Sequence, residues 1–321
     1  MTILVTGGSG VVGSALVRHL VEGDDGVRTL SRSETSDSVL RAMGSEPVRG
    51  DILDRSALEA AMEGVALVYH VAGVNSMCVK DPAPMLEANI EGSLNVLAAA
   101  RSAGVQRLVY TSSAATLGEA RGEVGTERSV HRGWYLSDYE RSKHLAEEAV
   151  LAQKGVDVVC VNPSSVQGPG RASGTGKIIL DLVRGKLPFL VDTRVSIVDI
   201  DDCARGHIAA AERGVPGQRY LLNSFTVTMT EAVDLLEQQL GRQLSVRFLP
   251  GWVASAGAAG AEWAARMRRR QPSVCREMVR TMRHGHAYDG SRAESELGLR
   301  YTSAGDLMHR LLAWFESEGL L

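Results

Sequence analysis

The stretch Ile3-Leu-Val-Thr-Gly-Gly-Ser-Gly-Val-Val-Gly13 constrains this chain more than any other. A short apolar, β-branched run stops in glycines, and Val12, Leu16 and Leu20 then recur at helical spacing. Strand, glycine turn and helix in that order form a phosphate-binding context. Gly7 permits the tight turn, Gly10 a close backbone approach to a pyrophosphate, and Gly13 close packing of helix on strand. Gly8, Gly10 and Gly13 also satisfy the GxGxxG frame. A helix opening at Val11 and Val12 presents free N–H groups to the phosphates, and its dipole favours them. The motif predicts a bound dinucleotide.

Apolar strands alternate with helices through the first half. VRTL, PVRGDI, ALVYHVAG, RLVYTSS and VDVVCVNP read as strands, and 11–21, 57–62, 84–103 and 138–153 as helices, with Gly104 closing the third. Continuous apolar strands between helices predict a parallel sheet covered on both faces. Right-handed crossovers make it a Rossmann-type, doubly wound α/β fold. From Pro163 the chain turns Gly/Pro/Ser-rich and its periodicity weakens. The expected division is a dinucleotide-binding domain over 1–164, with SIVDI and RYLLN near 193–222 returning to the main sheet. Residues 165–192 and 223–321 then form a smaller C-terminal substrate-binding lobe. The stretch 252–267 reads as a core-facing helix.

With 44% hydrophobic and 23% charged residues in 321, the composition is that of a globular protein. A net charge of -3 gives no reason to expect nucleic acid or an anionic membrane. The one basic run, Arg266 to Arg270, reads as the solvated end of a helix. There is no eighteen-residue apolar run, so no membrane span is expected. With the first strand opening at Thr2, no leader is expected, and the expected location is cytoplasmic. Cys78, Cys160, Cys203 and Cys275 are scattered without CxxC or ligand spacing. They are expected to be reduced, buried thiols, with no metal site.

The end of the second strand bears on the cofactor. VRTL runs into Ser31-Arg32-Ser33, with no carboxylate before Glu34. An arginine there accommodates a 2′-phosphate, so NADP(H) is preferred over NAD(H), which stays possible.

A second constellation carries the chemistry. Tyr139 and Lys143 are four apart, on one face of a helix. An ammonium beside a phenol lowers its pKa, so Tyr139 is expected to exchange a proton with a carbonyl oxygen near working pH. Ser113 ends the fifth strand, where carboxyl ends face the ligand crevice, and its hydroxyl could hold that oxygen.

TGGSGVVG, GDILD, HVAG, NIEGS, VYTSSAA, YERSK and NPSSVQGPG occur in an order that resembles the extended short-chain dehydrogenase/reductase (NAD-dependent epimerase/dehydratase) family. The resemblance covers about residues 1–210, and SRAESELGLRY is similar to the family's closing motif. VYTSSAATLG and FLVDTRVSIVDIDDCARGH look like its dihydroflavonol-4-reductase-like branch, which includes hopanoid-associated sugar epimerases. The resemblance implies that Tyr139 is the acid/base, Lys143 holds the nicotinamide ribose, and Ser113 polarises the carbonyl. It implies that Asp51 and Ile52 lie at the adenine, that Ala72 and Gly73 line the cofactor, and that Pro163 and Ser164 pass the nicotinamide. Arg32 falls at the branch's 2′-phosphate arginine. Asn89 matches a family asparagine, for which helix packing is an equal alternative. Family habit also suggests a homodimer through the helices at 84–103 and 138–153.

Departures matter too. Gln167 replaces the usual tyrosine of YGP, and Asp199 opens a motif that usually begins with histidine. Val195 stands where nucleotide-sugar enzymes place a diphosphate-binding arginine; Arg194 is one position off, on the opposite strand face. Ala114-Ala115 replaces the acidic pair of the dehydratases.

Met77, Cys78, Trp134, Tyr135 and Gln167 are candidate pocket walls. His131 is expected at the surface, Arg171 and Lys177 as solvated loop charges, and Asp201 and Asp202 as helix caps. The expected activity is NADP(H)-dependent reduction of a small or mainly apolar ketone or aldehyde, reversible as alcohol oxidation. A sugar epimerase using the same residues is the alternative, and a non-catalytic NADP-sensing module a remote one.

Overall fold

The computed structural model describes residues 1–272 and 274–321. Strand β1 (Thr2–Thr6) enters the glycine turn and α1 (Val11–Leu20). There follow β2 (Gly26–Ser31), α2 (Glu34–Ala42), β3 (Glu46–Arg49), α3 (Arg55–Ala61), β4 (Leu67–His70), α4 (Ala83–Ser102) and β5 (Arg107–Thr111). A 3-10 turn (Ala114–Leu117), α5 (Asp138–Leu151) and β6 (Asp157–Pro163) complete this half. The second half contains β7 (Ser165–Gln167), α6 (Thr175–Val183), β8 (Phe189–Leu190), β9 (Arg194–Asp199), α7 (Ile200–Arg213) and β10 (Arg219–Leu222). It ends with β11 (Phe225–Thr228), α8 (Met229–Leu240), β12 (Arg247–Phe248), α9 (Gly251–Met267), α10 (Arg276–His284), α11 (Ser291–Leu297) and α12 (Ala304–Ser317).

Seven parallel strands form the main sheet in the order β3-β2-β1-β4-β5-β6-β10. The winding reverses between β1 and β4, which opens a crevice at their carboxyl ends. Strands β1, β2, β4, β5 and β6 each contribute to two cores. Val5, Leu16 and Tyr69 lie in one; Leu4, Leu58, Val68, Val96 and Tyr110 lie in the other. Burial on both sides is why these strands read as unbroken apolar runs.

RYLL joins this sheet as β10, but SIVDI does not. It forms most of β9, in a separate three-stranded sheet ordered β11-β9-β7. Val198 faces the main core, while Val195 and Ile197 join the apolar cluster of α6, α8 and α12. The strand thus serves both cores and is claimed by the second.

Other expectations are corrected as well. Of α9 only Ala258 is buried, so the helix is not core-facing. Its alanines and glycines offer too little side chain to anchor it inward. Asp199, not Asp201 or Asp202, caps α7, accepting from the Asp201 and Asp202 amides. Asp202 instead accepts from the Thr302 amide at 2.6 Å, and Asp201 pairs with Arg310 at 2.9 Å. The four cysteines are not all reduced: Cys78 and Cys275 are disulfide-bonded across 197 residues, and Cys160 and Cys203 are free and buried. Among the described residues no helix is long and apolar enough to cross a membrane.

Candidate active site

The glycine turn is built by backbone contact. Gly7 has φ +73°, and a Cβ on it would lie 2.6 Å from the Ala72 nitrogen. A Cβ on Gly13 would lie 2.1 Å from the Gly7 oxygen. Gly10 caps α1 with no side-chain hydrogen bond, leaving the first-turn amides of Val11 and Val12 available to an anion. The end of β4 is fixed beside the turn: Ala72 N donates to Thr6 Oγ1 at 3.2 Å, and the His70 ring bridges Thr6 Oγ1 (2.7 Å) and Ser93 Oγ (3.0 Å). Burial pushes His70 down to about 3, so it stays neutral.

Arg32 is 79% exposed, and its Nη1 is 3.6 Å from Asp51 Oδ2. So long a contact leaves the guanidinium free to take another acceptor. Asp51 Oδ1 accepts from the Leu53 amide at 2.9 Å. Ile52 fills the space above Gly92, where a Cβ would be 2.6 Å from Ile52 Cδ1. Beyond β5 and β6, Ser112 Oγ and Ser164 Oγ are enclosed without a partner. An uncapped helix start, a free arginine and two orphaned hydroxyls at the carboxyl ends of the sheet fit a dinucleotide.

The second constellation converges on the same edge. Ser137 caps α5 by accepting from the Glu140 amide at 3.0 Å, which sets Tyr139 and Lys143 in the first two turns. Ser113 starts the 3-10 turn after β5, and its carbonyl accepts from Asn162 Nδ2 at 3.2 Å. Burial pushes the Tyr139 phenol up; the Ser113 hydroxyl and then Arg171 pull it partly back. The expected fall driven by Lys143 is therefore not found. Lys143 is buried and donates to Thr111 O (2.7 Å) and Tyr110 Oη (3.2 Å) rather than to the Tyr139 hydroxyl. Burial also brings its own pKa down to about 8.

The walls differ in character. Asn89, buried at the middle of α4, accepts from Val74 N at 2.7 Å and donates to Val74 O (2.9 Å) and Ser142 Oγ (2.8 Å). It holds the loop after β4 against α5. Gly73 lies above it, since a Cβ there would be 3.2 Å from Asn89 Oδ1 and 3.8 Å from Lys143 Nζ. Glu277 on α10, which sequence reasoning missed, accepts from Asp138 N (2.7 Å) and Cys78 N (3.4 Å). Met77 is partly buried beside that anchor, and Cys78 is committed to its disulfide. Trp134 is half exposed under the Arg132 guanidinium, and Tyr135 packs on His131 and His144. His131 is partly buried rather than at the surface: its ring is packed against Gly118 and lies 4.2 Å from the His144 ring, tilted by 33°. Gln167 is buried, its Nε2 donating to Ser165 Oγ at 3.1 Å while Oε1 lacks a partner. Arg171 departs from the solvated loop charge expected of it. It is partly buried with Nε enclosed and unpartnered, and its field reaches Tyr139. Lys177 is exposed and pairs with Asp181.

Folding also gathers Glu119, His284 and His286, whose ligand atoms lie within 4.8 Å of one another. Glu119 Oε1 meets His286 Nδ1 at 2.6 Å, the distance of a hydrogen bond, while Glu119 Oε2 is enclosed without a partner. This cluster ties α10 to the turn after β5.

Comparison with known proteins agrees with this geometry. The model of the "NAD dependent epimerase/dehydratase family" matches residues 3–222. A candidate dihydroflavonol 4-reductase of Synechocystis sp. is 34% identical over 98% of this chain and 94% of its own. Sterol demethylase protein B of Methylococcus capsulatus is 31% identical over 100% of both chains. The crystal structure of gox2253 superposes with a TM-score of 0.87 at 34% identity, covering 100% of this chain and 99% of the other.

Proposed function

This chain belongs to the NAD dependent epimerase/dehydratase family, and on that premise we propose that it is an NADP(H)-dependent carbonyl reductase, reversibly oxidising the corresponding alcohol. The observation that carries the reading is the Ser113 hydroxyl acting on the Tyr139 phenol, with Lys143 one turn further along α5 and Gly73 beside its ammonium. When bound, the nicotinamide supplies or accepts the hydride. Tyr139 gives its proton to the carbonyl oxygen, and its raised pKa keeps that proton available at neutral pH. Ser113 holds the same oxygen by its hydroxyl. Lys143 holds the ribose hydroxyls. Gly7, Gly10, Val11, Val12 and Gly13 cradle the pyrophosphate, and Arg32 takes the 2′-phosphate. Asp51 and Ile52 bound the adenine, while Ala72, Gly73, Pro163 and Ser164 line the nicotinamide.

Residues 1–164 and the returning strand β10 form the cofactor lobe in this reading; Met77 and Tyr135 at its edge and Gln167 beyond it frame the substrate. Val195, at the diphosphate-arginine position, is packed into the apolar cluster of the second lobe. That supports a mainly apolar ketone or aldehyde over a nucleotide sugar. The test is fluorescence titration of cofactor-stripped protein with NADPH and NADH, then a panel of ketones and aldehydes. Preference for NADPH with turnover of apolar ketones is expected. Tightly retained NAD and turnover of sugars would replace this reading with an epimerase.

A further inference from the structure

Helix α9 has two unlike sides. Toward α10 it turns Ser255, Ala258 and Glu262: Arg283 Nη1 donates to Ser255 Oγ at 2.9 Å, and Arg276 pairs with Glu262 at 2.7 Å. Its other side carries Trp252, Ala256, Ala259, Trp263 and Met267, spaced to form one stripe. Trp252, Trp263 and Met267 are 71%, 68% and 69% exposed. The stripe runs about 22 Å at 1.5 Å per residue and contains no charge. Two exposed tryptophans on one helix face mark a surface that something covers.

Charge indicates what covers it. Between Gly251 and Arg283 the chain has seven arginines, two glutamates and no lysine or aspartate, a formal +5. The whole chain is -3, so the remainder carries -8. Arg266, Arg268, Arg269 and Arg270 are exposed at the end of the stripe, and among the described residues only Arg276 of the seven has a carboxylate partner. A second copy would set +5 against +5. An anionic lipid surface complements both features: tryptophans sit at the headgroup level, and arginines meet acidic lipids.

We propose that α9 and the arginine run after it dock this protein on an anionic membrane surface. The patch adjoins the substrate wall, because Cys275 is bonded to Cys78 and Lys80 Nζ donates to Arg269 O at 3.1 Å. Resting on the reductase reading for this last point alone, docking lets a lipophilic carbonyl pass from the bilayer to the site without crossing water.

The experiment is co-sedimentation of the full chain with phosphatidylcholine vesicles, with and without phosphatidylglycerol, at low and high salt. Binding to the mixed vesicles only, reversed by salt, is expected. Each of Arg268→Gln and Arg269→Gln should weaken it about fivefold, the equivalent of ~1 kcal/mol per basic residue. The double variant Trp252→Ser/Trp263→Ser should abolish it while melting temperature and turnover of a water-soluble ketone stay at wild-type values. Absence of vesicle binding, or binding that survives the double tryptophan or the arginine variants, overturns the proposal. A wild-type dimer made monomeric by the tryptophan variant, without vesicle binding, assigns the stripe to a second copy instead. Because vesicle binding is read without catalysis, failure of the reductase reading leaves this result standing.

Discussion

Asn89 holds Val74 at both of its backbone groups, accepting from the amide at 2.7 Å and donating to the carbonyl at 2.9 Å. Helix packing and site support, which the sequence left equal, are one role here: the residue is buried in α4 and its amide works on the loop that lines the site. Asn89→Ala should leave those backbone groups unpaired, at about 1–3 kcal/mol of stability. The cofactor KM should rise with it. Thermal melts and steady-state kinetics would check both, and an unchanged KM would make Asn89 purely structural.

Tyr139→Phe keeps the ring and removes the proton. Turnover should fall about 10²- to 10⁴-fold, the usual worth of a positioned acid, with cofactor affinity nearly intact. Residual activity near wild type would remove Tyr139 from the reaction.

The pH dependence should follow the lysine. Lys143 is brought down to about 8 by burial, whereas Tyr139 lies above its ordinary value. The charged ammonium is lost as pH rises through its pKa, so kcat/KM for reduction, which reports the free enzyme, should decline near pH 8. Lys143→Arg keeps a permanent charge and should move that decline upward, in a pH–rate profile of the folded variant.

Arg32 is exposed and held only by the 3.6 Å approach to Asp51. Arg32→Ala should weaken NADPH about tenfold to a hundredfold, the loss of a hydrogen bond to a charged group, and change NADH little. Equal losses for both cofactors would take Arg32 off the 2′-phosphate.

A thiol titration of the denatured chain should find two thiols before reduction and four after it, matching one disulfide and two free cysteines. Cys275→Ser should lower stability by roughly 2–4 kcal/mol, as loss of a long cross-link does. Four thiols without reductant would place the protein in the reduced state that cysteine spacing suggested.

Much of the cofactor half was legible because its signals are local. The turn at Gly7 needs positive φ, α1 has its apolar spacing, and strands buried on both faces read as unbroken hydrophobic runs. Helix α2 was not visible: in Glu34-Thr-Ser-Asp-Ser-Val-Leu-Arg-Ala only Asp37 and Leu40 are buried, and the Ser33 cap with the Asp37–Arg49 pair supports it. Helix α9 misled in the opposite way, since Ala, Trp and Met compose both a core helix and a surface stripe. Contacts of long sequence separation left no trace. Nothing near Cys78 announces Cys275, and Glu277 resembles any exposed helical glutamate until the fold brings Asp138 to it. Arg171 looked like a loop charge because its burial depends on packing between β7 and α6 that no local pattern encodes.

The two oxygens of Glu277 belong to one rigid carboxylate, and each holds a different side of the pocket, the amide of Cys78 and the amide of Asp138. A drift of α10 during evolution therefore cannot retune one side and spare the other. Substrate range in descendants of this chain should change in paired steps, with substitutions along α10 altering both the loop after β4 and the start of the tyrosine helix together.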